Sequence, residues 1–154
     1  MRRTVLLVMT ALLLLTIPAG AAGWSERITG GGQAVAGGTE FSITVSAWKD
    51  AAGNAAGQIE YSRPTLIFHA TVECLCLHGD VAVAAGPVRV QHDPGLAVGS
   101  DAWVVVEMLE GGVGSGDRVS VRFISQAEAE AKCATPSGSY PGLIYDGNFN
   151  IRIK

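Results

Sequence analysis

The chain lacks the short signatures that hold a phosphate or activate a serine. Neither Gly-x-Gly-x-x-Gly nor Gly-x-x-x-x-Gly-Lys-Ser/Thr occurs, so no glycine-rich phosphate cradle is written into it. No Gly-x-Ser-x-Gly elbow occurs either, and Ser115 in GGVGSGD has no strand-to-helix setting for a nucleophile. Its lysines are scattered, which removes the basic footprint that nucleic acid or anionic lipid would require. After residue 17 there is no further apolar run long enough to span a bilayer, which takes roughly 20 residues. With only three cysteines, the chain is not a disulfide-dense scaffold and must build a core.

What is present begins with an address. Arg2 and Arg3 precede the apolar run Val5 to Ile17, followed by Pro18 and the small residues Ala19, Gly20 and Ala21. This is the charged, apolar and small-residue order of a secretory signal, residues 1–21, with cleavage expected after Ala21, or after Ala22 or Gly23. No cysteine stands near that site, which argues against a lipid-modified N-terminus. Loss of Arg2 and Arg3 leaves nine basic against fourteen acidic residues, a net charge of −5. The expected product is an acidic protein, secreted to the extracellular space or periplasm. It has no stable membrane span after cleavage and no nucleic-acid partner.

Residues 22–38, with the run Gly30-Gly31-Gly32, read as a flexible glycine-rich opening segment. Residues 39–154 then read as a single β domain. EFSITVSAW (40–48) alternates Phe41, Ile43, Val45 and Ala47 against Ser42, Thr44 and Ser46, the period of a half-buried strand. DAAGNAAG turns the chain into QIEYS (58–62), and TLIFHATVECLCL (65–77) forms another strand, turned at His78-Gly79-Asp80 into Val81–Val90. QHDPGLAVGS (91–100) is a loop, and DAWVVVEMLE (101–110) and RVSVRFI (118–124) flank the glycine-rich tip GGVGSGD. Ser125 with Glu128 is a capping-box pattern that predicts about two helical turns over QAEAEAK, and GNFNIRIK alternates as a closing strand. The fold class expected is all-β: an antiparallel meander of about seven or eight strands, closed as a small barrel or folded as a sandwich, with one short helix near the C-terminus. Trp48 and Trp103 are expected in the core, and Trp24 is the aromatic expected to be exposed.

Cys74, Cys76 and Cys133 are destined for an oxidising compartment, where pairing is the usual fate. Cys74 and Cys76 lie on one face of a strand and are poorly placed to bond to each other, so one of the two is expected to pair with Cys133. Cys74, Cys76 and His78, at alternate positions, form the one pattern that two thiolates and an imidazole could turn into a Cu(I) or Zn(II) site, with His69 or His92 completing it. Against it stands the structural reading, in which one cysteine is bridged, the other is a small buried hydrophobe and His78 belongs to the turn. His69, inside an apolar strand, reads as a histidine bonded to its neighbour strand. His92, Asp93 and Asp101 share one loop without a nucleophile. Glu110, Asp117 and Asp146 match no calcium loop and read as solvated turn acids. No cofactor and no catalytic residue is expected.

Gly30-Gly31-Gly32-Gln33, then GQIEY, VECLCLHGD, GSGDRVSVRF, CA and GNFNI, together resemble a family of small secreted bacterial all-β domains of unknown function. That pattern runs from a glycine-rich opening through Gly-Gln-x-x-Tyr and a Val-x-Cys-Leu strand to a final Gly-Asn strand. The resemblance implies that Cys74 and Cys133 form the disulfide and that Cys76, where the family more often carries a small polar residue, is free. It lends no activity, substrate or cofactor, and implies a non-enzymatic extracellular or cell-envelope module; such a module is expected to act by binding or surface association, with function carried on hairpin loops such as Gln91 to Ser100 and Gly111 to Asp117. The rival expectation is a metal-handling protein or small hydrolase built on the face of Cys74, Cys76 and His78. Partner identity and oligomeric state are not written in the sequence.

Overall fold

A computed structural model describes residues 23–92, 102–111, 116–136 and 140–154, with the side chains of 90–92 left aside. The signal segment with Ala21, the loop positions Asp93 to Asp101, and Ser115 lie outside the described residues. The elements run β1 (Trp24–Ala36), β2 (Thr39–Asp50), β3 (Ala55–Arg63), β4 (Leu66–Thr71), β5 (Cys74–His78), β6 (Val81–His92), β7 (Trp103–Leu109), β8 (Arg118–Ile124), α1 (Gln126–Ala134) and β9 (Gly142–Ile153). All strand pairings are antiparallel, in the order β4-β3-β2-β1-β9-β8-β7-β6-β5, and a further β4–β6 pairing closes eight of the strands into a barrel. The ninth, β5, continues along the β6 edge past the end of β4.

Period-two alternation fills the interior. Phe41, Ile43, Val45 and Ala47 of β2, Ile59 and Tyr61 of β3, Phe68 of β4, and Val104, Val106 and Met108 of β7 are buried in one core. Ser42, Thr44, Ser46, Glu60, Ser62 and His69 occupy the alternate, outward positions. Trp48 falls on that outward parity and is 46% exposed, so the expectation of a core tryptophan there is corrected; Trp103 is buried. Trp24 is only partly exposed, with Arg27 and Lys154 over its ring.

The largest departure from the sequence reading is β1. Residues 24–36 are not a flexible opening but a thirteen-residue strand hydrogen-bonded to β2 on one side and β9 on the other. Gly30, Gly31 and Gly32 are extended with φ of +137°, +144° and +158°, a region essentially confined to glycine. A Cβ on Gly31 would lie 1.9 Å from the Ile43 carbonyl oxygen, and one on Gly32 1.9 Å from that of Asp146. The glycine run is therefore there for close approach of three backbones. Because it has no side chains, it shows no alternation.

The predicted strand 65–77 is two strands. The chain breaks at Val72 and Glu73, whose amides donate to Gly57 and Ala85 instead of continuing one ladder. Gly86 lies under this break, where a Cβ would come 1.7 Å from the Thr71 carbonyl oxygen. The helix forms where the capping box predicts: the Ser125 hydroxyl accepts from the Glu128 amide, and the Glu128 carboxylate accepts from the Ser125 amide. It packs Ala129 on the outer faces of β6 and β7, against Val83, Ala85, Trp103 and Val105. Cys133 is joined to Cys74 by a disulfide that ties the helix to β5.

A candidate binding cleft where the barrel wall is interrupted

The weakest seam of the barrel lies between β8 and β9, which share only the register pairs Arg118↔Leu143 and Val119↔Gly142. Because β9 begins at Gly142, β8 from Ser120 to Ile124 has no strand on that edge among the described residues, and β1 beyond Val35 has no β9 partner. The missing stretch of wall is a cleft of about 370 Å³. The end of the β1–β2 hairpin (Ala36, Thr39, Phe41), β3 (Tyr61, Arg63) and β8 (Val119 to Arg122) line it.

Below the seam, carboxylates replace the absent ladder. Asp117 accepts from the Gly111 and Phe149 amides, and Glu110 accepts from the Ile151 amide, while Ile144 donates to the Asp117 carbonyl. Asp117 is buried, so it is not the solvated turn acid that the sequence suggests, and its oxygens and one of Glu110's are engaged with backbone rather than free for a cation. Asp146 is exposed on β9.

The inner wall of the cleft is aromatic. Phe41 stacks on Tyr61 at 5.3 Å between centroids, Tyr61 on Phe68 at 4.9 Å, and Phe68 meets Phe123 edge-on at 5.2 Å. Burial pushes the Tyr61 phenol up from its ordinary range, opposed by the charge and hydrogen bonding of Arg63. Parity puts Arg63 on the Tyr61 side of β3, and its Nε is buried with no hydrogen-bond partner among the described residues. A buried donor left unmade costs about 1–3 kcal/mol.

Arg122, the second guanidinium on the cleft, is differently placed. It bonds Glu107, a fully buried carboxylate on the outer face of β7 that also lies 3.5 Å from Lys132 of the helix. The Tyr140 phenol is pushed up by burial and then by the Glu107 charge. The positive charge of Arg122 is thus already answered from inside the protein. Among the described residues no carboxylate lines the cleft itself.

The residues singled out by sequence lie elsewhere. Cys74 and Cys76 share a face of β5, but the Cys74 sulfur is in the disulfide, so that face offers one thiol, not two. Burial raises the Cys76 thiol pKa, opposed by the Lys49 charge and then reinforced by Glu26; those two side chains pair with each other. His78 is exposed, and among the described residues no group of three His, Cys, Asp or Glu side chains is placed to hold a metal. His69 points outward with Nδ1 3.7 Å from Glu60, its cross-strand neighbour on β3, so its partner lies on the adjacent strand as the sequence suggests. Arg63 was legible in principle: it stands two residues after the inward Tyr61, a charged residue on an apolar face. Comparison with protein-family models, curated proteins and solved structures found no match.

Proposed function

We propose that this chain is a secreted, non-enzymatic binding module of the extracellular space or cell envelope, and that the interrupted stretch of barrel wall is its binding face. The observation that carries the reading is the cleft itself: an aromatic inner wall and a guanidinium that has a buried unpartnered Nε and no ion pair among the described residues, reached through a gap that a longer β9 would have filled. The interior of an eight-stranded barrel is just wide enough for side chains to fill it or for one small ligand. Among the described residues no nucleophile and general base meet in the cleft, which suits binding rather than turnover. Kinship with the secreted bacterial β domains, whose motifs the chain resembles, belongs to this same proposal.

Secretion draws support from the leader-like first residues and from the disulfide, which persists in oxidising compartments. Among the described residues no helix is long and apolar enough to cross a membrane. The barrel carries polar residues outward and apolar ones inward on β2 to β4, the reverse of a membrane barrel. Ligand-observed NMR of the mature protein against a library of small organic molecules, with mass spectrometry of the recovered compounds, tests the reading. Saturable one-to-one binding with every ligand recovered intact is expected. Chemical conversion of any of them, or no binding across the library, contradicts it.

A further inference from the structure

Resting on that reading, we infer that the cleft is selective for a small aromatic carboxylate, with the carboxylate held side-on by Arg63 and the ring against Phe41 and Tyr61. Three features of the site converge on this ligand class. The first is charge. Among the described residues Arg63 and Arg122 line the cleft and no acid does, in a chain whose formal net charge is −3. Glu107 occupies Arg122, and among the described residues Arg63 makes no ion pair. Glu40 lines a neighbouring recess that shares Phe41 and Arg63 with the cleft, and among the described residues it forms no ion pair with Arg63. The free positive charge is therefore that of Arg63.

The second is geometry of donors. The buried donor without a partner is Arg63 Nε. A carboxylate approaching a guanidinium side-on takes Nε–H and one Nη–H together in two parallel hydrogen bonds, which a point anion or a lone carbonyl does not match. The third is the wall. Phe41 and Tyr61, stacked on each other within 27° of parallel, line the cleft together with Val119 and Val121. About 370 Å³ lies at the small end of ligand pockets, which suits a one- or two-ring molecule.

The test uses the mature protein and two probes of equal shape, 2-naphthoate and 2-naphthamide, titrated by fluorescence and calorimetry. Binding of 2-naphthoate at one equivalent is expected, at least about tenfold tighter than the neutral amide. Arg63→Gln is expected to abolish that preference, and Arg63→Lys, which keeps the charge but not the side-on fork, to lose about tenfold for the acid alone. Thermal melts of both variants, each expected to keep a cooperative folded-state transition, separate recognition from folding. Equal binding of the two probes with no effect of Arg63→Gln overturns carboxylate selectivity while leaving the cleft a binding face. Failure of both probes to bind overturns the ligand class, and the library experiment then decides on its own whether the broader reading stands.

Discussion

The Asp117 carboxylate supplies the hydrogen bond that the Phe149 amide does not obtain from a neighbouring strand. It sits at the end of the β7–β8 hairpin and also accepts from Gly111, so one side chain closes the hairpin and the barrel seam together. Where this substitution ends, above Gly142, the wall stays open.

Asp117→Ala should therefore be among the most destabilising polar substitutions in the chain. It leaves two backbone donors, one of them on the buried Phe149, without partners, at a cost of about 2–6 kcal/mol at 1–3 kcal/mol each. Asp117→Asn, which retains a carbonyl acceptor, should cost less. Urea unfolding of the three proteins gives the order, and equal midpoints would remove Asp117 from the account of the seam.

Gly31→Ala should prevent β1 from docking. The new methyl would lie 1.9 Å from the Ile43 carbonyl at a φ of +144°, and the cost should exceed about 3 kcal/mol. Gly37→Ala is the control: its φ is also positive, but nothing lies within 4 Å, so about 1–2 kcal/mol is expected. Comparable melting temperatures for the two variants would mean that the glycine run is not needed for close approach.

Removal of the disulfide by Cys133→Ala should release α1 from β5 before the barrel itself opens. A bridge closing 59 residues is worth about 4 kcal/mol in the chain-entropy model. Detachment uncovers Trp103, so its emission should shift to the red while far-ultraviolet dichroism keeps its strand signature. Unchanged stability and emission would show that packing of Ala129 alone holds the helix.

Cys76 should alkylate slowly at neutral pH and accelerate only above the range of an exposed thiol. Burial favours its neutral form in the folded protein, so any stability this group contributes is present below the unfolded thiol pKa of about 8.5 and is lost as pH rises through the folded value. Lys49→Met, which removes the opposing charge, should slow the reaction further. An iodoacetamide rate profile matching that of free cysteine would contradict this.

The architecture was legible wherever side chains alternate. EFSITVSAW states which face of β2 is inside, and the same parity, carried two residues further than it was, puts Trp48 outside and Arg63 on the inner side of β3. Ser125 and Glu128 announce the helix because a capping box is local chemistry. β1 was not legible because its central residues have no side chains to alternate, and its constraint comes from Ile43 and Asp146, distant in sequence. The roles of Asp117 and Glu110 were hidden for the same reason, since both depend on where β9 returns. The cleft exists because β9 starts at Gly142, and an element boundary of that kind is the least readable feature of a sequence.

The measurement that bears most directly on the central claim is a two-dimensional amide spectrum of the mature protein, titrated with the tightest ligand from the library. Shifts concentrated at Thr39, Phe41, Tyr61, Arg63 and Val119 to Arg122, with Trp48, Cys76 and His78 unmoved, are the result the account predicts. Shifts centred on the β5 face of Cys76 and His78, or on the exposed outer surface of β2 to β4, would contradict it.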